Sequence, residues 1–90
     1  MPRWTQKAAS NLESILDYIS EDNPAAAANV AKQIKEVANQ LDQYPAMGRP
    51  GRRPGTRELV MPQFPYIIIY RMRQRTVIIL QVLHAKLKYP

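Results

Sequence analysis

His84 is the one histidine in a chain that has no cysteine, and it closes the aliphatic run Val77–Leu83. Together with the guanidinium groups of Arg57 and Arg71 and the phenol of Tyr89, its imidazole offers the groups that metal-free cleavage of RNA requires. That reaction must activate a 2′-hydroxyl, stabilise charge on the phosphate and protonate a leaving oxygen. No partner acid accompanies His84, so the simpler reading is a strand-end histidine hydrogen-bonded to neighbouring backbone.

The second chemistry the sequence offers is anion binding. Residues 1–48 hold four basic groups and six acidic ones, whereas residues 49–90 hold nine basic groups against Glu58 alone. Arg49, Arg52, Arg53 and Arg57 form the densest basic stretch, followed by Arg71, Arg73 and Arg75 and then by Lys86 and Lys88. The glycines among the first set do not match a phosphate-cradling loop, because a strand rather than a helix follows them. As a charge patch these residues give an affinity for polyanions or acidic protein segments that falls with salt and reads no sequence. Arg71, Arg73 and Arg75 alternate along a strand end, which makes them either a solvated hairpin tip or a contact surface. Glu58 is expected to pair with one of the neighbouring arginines rather than to act as a base.

Composition bounds the rest. With 90 residues, 46% apolar and 22% charged, the chain is one domain spanning residues 1–90. Without cysteine and with one histidine, it has no disulfide framework and no thiolate or histidine-rich metal site, so neither a metal nor a cofactor is expected. Its aliphatic runs are far shorter than the roughly 20 residues of a membrane helix, and no secretory leader is legible, which points to the cytoplasm.

The elements that must position these groups read as two helices followed by a sheet. Ala8, Ala9, Leu12, Ile15, Leu16 and Ile19 recur at helical spacing after Thr5, whose hydroxyl suits an N-cap. Asn23-Pro24 opens a second helix with Ala27, Val30, Ala31, Ile34, Val37, Ala38 and Leu41 on one stripe, and Pro45 stops it. The short link predicts an antiparallel hairpin of helices. Residues 45–55 are dense in Gly and Pro and are expected to be irregular. Three strands are predicted at Thr56–Met61, Tyr66–Met72 and Val77–Leu83, with room for a short strand at Pro2–Trp4. Simple alternation sets Ile78, Leu80 and Val82 against Val77 and Ile79 on opposite faces. The expected fold is α+β, a helical hairpin on one face of a small twisted antiparallel sheet. The other apolar face is left in need of a partner. Trp4 and Tyr18 are expected in the core or at its rim, and Tyr66 and Tyr70 beneath a helix.

Several segments carry a family resemblance: Asn11-Leu12-Glu13-Ser14-Ile15 with Tyr18-Ile19, Tyr44-Pro45 before Met47-Gly48, Gly55-Thr56-Arg57, Tyr70-Arg71 and Val82-Leu83-His84. In this order, over nearly the whole chain, they resemble the RelE/ParE superfamily of bacterial toxins. The resemblance implies a toxin of a type II toxin–antitoxin system, neutralised by a cognate antitoxin that wraps it with an extended or helical segment. That segment should be acidic.

The superfamily divides by target. ParE-like members poison DNA gyrase, while RelE-like members are ribosome-dependent mRNA endonucleases with a lysine/arginine cluster and a histidine or tyrosine near the C-terminus. The Pro45-Ala46-Met47-Gly48 segment, Tyr70-Arg71 and Val82-Leu83-His84 look more like the ParE side. Arginines stand where a nuclease would offer lysines. Gyrase is therefore the expected target, with ribosome-bound mRNA and the set His84, Arg57, Arg71 and Tyr89 as the alternative.

Overall fold

Thr5 opens the first helix, its Oγ1 accepting the Ala8 N–H at 3.0 Å as an N-cap. The computed structural model describes residues 1–86. Helix α1 spans Gln6–Asp22 and α2 spans Pro24–Gln43. Asn23 alone links them and caps both: its N–H reaches the Ile19 carbonyl at 3.0 Å, and its Oδ1 accepts the Ala26 N–H at 3.0 Å. Pro24 takes the first helical position, where a missing N–H leaves no bond unmade.

The strands are β1 (Arg3–Trp4), β2 (Arg49–Pro50), β3 (Thr56–Val60), β4 (Tyr66–Arg73) and β5 (Thr76–His84), in the sheet order β1-β5-β4-β3-β2. The antiparallel sheet expected from the sequence is present over β2–β5, and the short N-terminal strand β1 joins it parallel to β5, which makes the whole sheet mixed. The sheet corrects the expectation that residues 45–55 hold no regular structure. Arg49 pairs with Glu58 and Pro50 with Arg57, a two-residue strand at the sheet's edge, where a proline's missing donor is tolerated. Gln74 and Arg75 form the tight turn of the β4–β5 hairpin, with φ of 51° and 66°. Left-handed backbone at both positions suits the right-handed twist of the paired strands.

A bulge changes which side chains face the helices. Tyr70 pairs with Ile79 and Ile69 with Gln81, so Leu80 is an extra residue in β5. Val82 therefore joins Val77 and Ile79 in the core, contrary to simple alternation. Facing them are Ala8 and Leu12 of α1 and Val30, Ile34, Ala38 and Leu41 of α2, with Tyr66, Ile68 and Tyr70 from β4. Each fully buried aliphatic side chain here contributes about 1.5–3 kcal/mol of transfer free energy. Both helices lie on this one side of the sheet.

The outer edge of β5 is closed by side chains where β1 ends. Thr5 donates its N–H and Oγ1–H to the Ile79 carbonyl at 3.0 and 3.1 Å, and its Oγ1 also lies 3.1 Å from the Leu80 carbonyl. The Val82 N–H donates to Asn11 Oδ1 at 3.2 Å. Among the described residues no helix is long and apolar enough to cross a membrane.

Candidate interaction surface

Residues paired across antiparallel strands share a face, so the register lays out the sheet side that the helices leave uncovered. Val60, Ile67 and Leu83 form an apolar row at one end. Glu58, Ile69 and Gln81 form the next, and Thr56, Arg71, Ile78 and Arg3 the one after. Arg73 and Thr76 complete the series before the Gln74–Arg75 turn. The face grades from aliphatic to cationic along the strands, and Arg3, Arg71 and Arg73 occupy its basic end. Arg3 was not singled out from sequence, although the strand proposed at Pro2–Trp4 would have set it opposite the apolar Trp4.

Only one acid interrupts this face. Glu58 is 6% exposed, and its Oε1 accepts from Arg49 Nε at 3.3 Å and Nη2 at 3.2 Å. The expected pairing of Glu58 with an arginine is thus present. A carboxylate this buried needs such donors, because desolvation penalises its charged form. The remaining acids of the chain lie on the helices, at Glu13, Asp17, Glu21, Asp22, Glu36 and Asp42. The helical layer is acidic and the sheet layer basic.

Arg57 does something different from its neighbours. Paired with Tyr70, it lies on the helix side, where its Nη1 donates to the Gly48 carbonyl at 2.7 Å and to the Ala46 carbonyl at 3.5 Å. The Tyr70 hydroxyl accepts the Gly48 N–H at 2.9 Å and donates to the Pro45 carbonyl at 2.7 Å. Arg57 and Tyr70 together tie residues 45–48 to the sheet, and this loop leads directly into Arg49. Arg52 and Arg53 are exposed in the turn between β2 and β3. The Arg53 carbonyl accepts the Thr56 N–H at 3.1 Å and its hydroxyl at 2.7 Å.

The described members of the proposed nuclease set, His84, Arg57 and Arg71, are not brought together. His84 pairs with Tyr66 at one end of the β4–β5 ladder, and Arg71 pairs with Ile78 near the other. Five strand steps separate them, about 16 Å at ~3.3 Å per residue, and they point to opposite faces. Arg57 is engaged by the loop carbonyls. His84 Nδ1 accepts the Lys86 N–H at 3.1 Å, and the ring stands edge-on to Tyr66 with centroids 5.6 Å apart. This is the backbone-bonded strand-end histidine that its sequence context suggested. Lys86 is exposed beside it, while Lys88 and Tyr89 lie outside the described residues.

The aromatic residues divide. Tyr66 and Tyr70 are buried beneath the helices as expected, and burial raises the Tyr66 phenol pKa, with the nearby Tyr18 phenol adding to it. Tyr18 itself departs from the expectation of a core or rim position. It is 77% exposed, because α1 turns its stripe of Ile15 and Ile19 inward and leaves Tyr18 on the shoulder. Its place one residue before Ile19 on a 3.6-residue period was the available signal.

A sheet face that turns from aliphatic to cationic on the side away from both helices defines a small basic α+β protein with one strongly charged side. Comparison with known proteins sharpens this class. Residues 3–89 match the family described as ParE toxin of type II toxin-antitoxin system, parDE, and the chain belongs to that family. It is 49% identical over 88 residues to a candidate toxin of Sinorhizobium fredii, Y4kP, covering 98% of this chain and 91% of that protein. It is 35% identical over 82 residues to Toxin RelE2 of Caulobacter vibrioides, covering 91% of each. Among solved structures, the chromosomal ParDE TA system from P. aeruginosa contains a chain that superposes with a TM-score of 0.83 at 30% identity, covering 91% of both. The RelE/ParE resemblance read from the sequence is thereby established, and a toxin of a type II system is partnered by an antitoxin.

Proposed function

We propose that this toxin arrests growth by binding DNA gyrase in the cytoplasm through the basic end of its open sheet face, and that its antitoxin blocks the same face with an acidic segment. The observation that carries this reading is the grouping of Arg3, Arg71 and Arg73 on a face no helix covers, while all acids but Glu58 lie on the helices. Such a surface draws an acidic partner in the right orientation and raises encounter rates at low salt. The family resemblance supplies gyrase as the partner whose inhibition arrests growth. A supercoiling assay with purified gyrase tests it: inhibition by the wild-type toxin supports the reading, and full supercoiling at excess toxin rejects it.

The likeness to Toxin RelE2 favours a second reading, ribosome-dependent mRNA cleavage. Against it, His84 and Arg71 sit at opposite ends and on opposite faces of the sheet. Primer extension on transcripts from translating ribosomes separates the two: discrete cuts lost in His84→Ala support cleavage, and intact transcripts remove it.

A further inference from the structure

A second surface lies away from the cationic face, on the helix side at the His84 end of the sheet. There a cleft of about 530 Å³ opens between the C-terminal half of α1 and the ends of β4 and β5. Ile15 and Ile19, both half-buried, line it with the Tyr66 and His84 rings, while Tyr18 and Lys86 stand at its exposed rim. We propose that this cleft is a docking pocket for one large apolar side chain flanked by a carboxylate, supplied by the antitoxin.

The apolar half of the argument is the lining. Isoleucine side chains and two rings held edge-to-face at 86° give a preformed greasy wall, and Tyr18 adds an aromatic ring that the fold leaves in water. Rigid aromatic side chains exposed beside a pocket are the residues on which binding energy concentrates in protein interfaces.

The polar half follows from hydrogen bonding. Because His84 Nδ1 accepts the Lys86 N–H, the neutral ring carries its hydrogen on Nε2, which is left as a donor. The Lys86 ammonium and the Ser14 and Tyr18 hydroxyls add further donors, and Lys86 is the charged group among the described lining residues. Among the described lining residues there is one cation, there are several donors and there is no carboxylate, a set that complements an anion rather than a base or a neutral amide. An apolar side chain beside an Asp or Glu satisfies both halves. The assignment rests on the toxin–antitoxin reading, and it requires the antitoxin to reach the helix side of the sheet as well as its basic face.

The test is titration of the purified antitoxin, encoded beside the toxin, into the wild-type toxin and the variants Tyr18→Ala, Lys86→Gln and Lys32→Gln. Tyr18→Ala is expected to weaken binding about 30-fold, the loss of a hot-spot side chain. Lys86→Gln should weaken it several-fold and lessen its salt dependence, and Lys32→Gln, on α2, should bind as the wild type does. Far-UV circular dichroism checks that each variant is folded. His84 is the chain's one histidine, so its imidazole NMR signals report on the cleft without assignment of others, and they should shift when the antitoxin binds. Unchanged affinity in either Tyr18→Ala or Lys86→Gln, or unmoved imidazole signals in the complex, overturns the pocket while leaving the toxin–antitoxin reading intact. Failure of the wild-type toxin to bind its antitoxin at all overturns both.

Discussion

The Tyr70 hydroxyl and the Gly48 N–H meet at 2.9 Å in the protein interior, joining the middle of the sheet to the loop that delivers Arg49. A Cβ at Gly48 would lie 2.7 Å from that hydroxyl and 2.8 Å from the Glu58 carbonyl, so only glycine fits. Tyr70→Phe removes the hydroxyl and leaves the Gly48 N–H and the Pro45 carbonyl without this partner. The expected loss is about 1–3 kcal/mol, read as a lower urea midpoint at unchanged slope. An unaltered midpoint would show that the loop holds without this bond.

Arg75 adopts φ of 66° without being glycine. Left-handed backbone costs a residue with a Cβ about 1 kcal/mol or more, so Arg75→Gly should raise stability by roughly 0.5–1 kcal/mol. The same substitution removes a cation from the hairpin tip and should weaken gyrase inhibition. A thermal melt and a supercoiling assay on one preparation read both effects, and a variant less stable than wild type contradicts the backbone argument.

Arg71 and Arg73 share the open face near its basic end. Reversing both to Glu should abolish gyrase inhibition with a change in stability of less than about 1 kcal/mol, since both side chains are exposed. Raising ionic strength should weaken the wild-type effect progressively. Inhibition that survives the reversal would move the contact elsewhere on the molecule.

Tyr66 has its pKa raised from 10.0, by burial first and by Tyr18 second. The neutral phenol is thus favoured in the folded state. The stability it supports is complete below about pH 10 and is lost as pH climbs through the raised folded value. Urea midpoints at pH 9 and pH 11 should fall more for the wild type than for Tyr66→Phe. Equal falls would exclude Tyr66 as a source.

Asn11 bridges from α1 to the edge of β5 through the Val82 N–H. Asn11→Ala should cost about 1 kcal/mol and speed hydrogen exchange at the Val82 amide above that of the core strands. Retained protection there would mean that another group takes over the bond.

Much of this architecture was legible in the residues. Thr5 and Asn23-Pro24 marked both helix starts by their capping chemistry, and the 3.6-residue stripes named the core of α1 and α2. The hairpin tip and the pairing of Glu58 with an arginine were also readable. What escaped depends on contacts distant in sequence. Leu80 is one more aliphatic residue in an aliphatic run, so nothing local reveals that it is the extra residue that turns Val82 inward. The strand at Arg49–Pro50 exists because Glu58 and Arg57 lie beside it, and proline argued against it. Arg57 looked like its neighbouring arginines, yet pairing with Tyr70 turns it toward the loop carbonyls. The separation of His84 from Arg71 likewise emerges only from the register, since both are strand residues near basic groups.

The segregation of acidic helices from a basic sheet gives the molecule a permanent electric moment directed from its helical layer to its sheet. In the field of a negatively charged target, a tumbling copy turns its arginines forward before any atoms touch, so collisions are biased toward the productive side. An acidic covering laid over the sheet side would cancel much of that moment and, with it, the bias in how collisions are oriented.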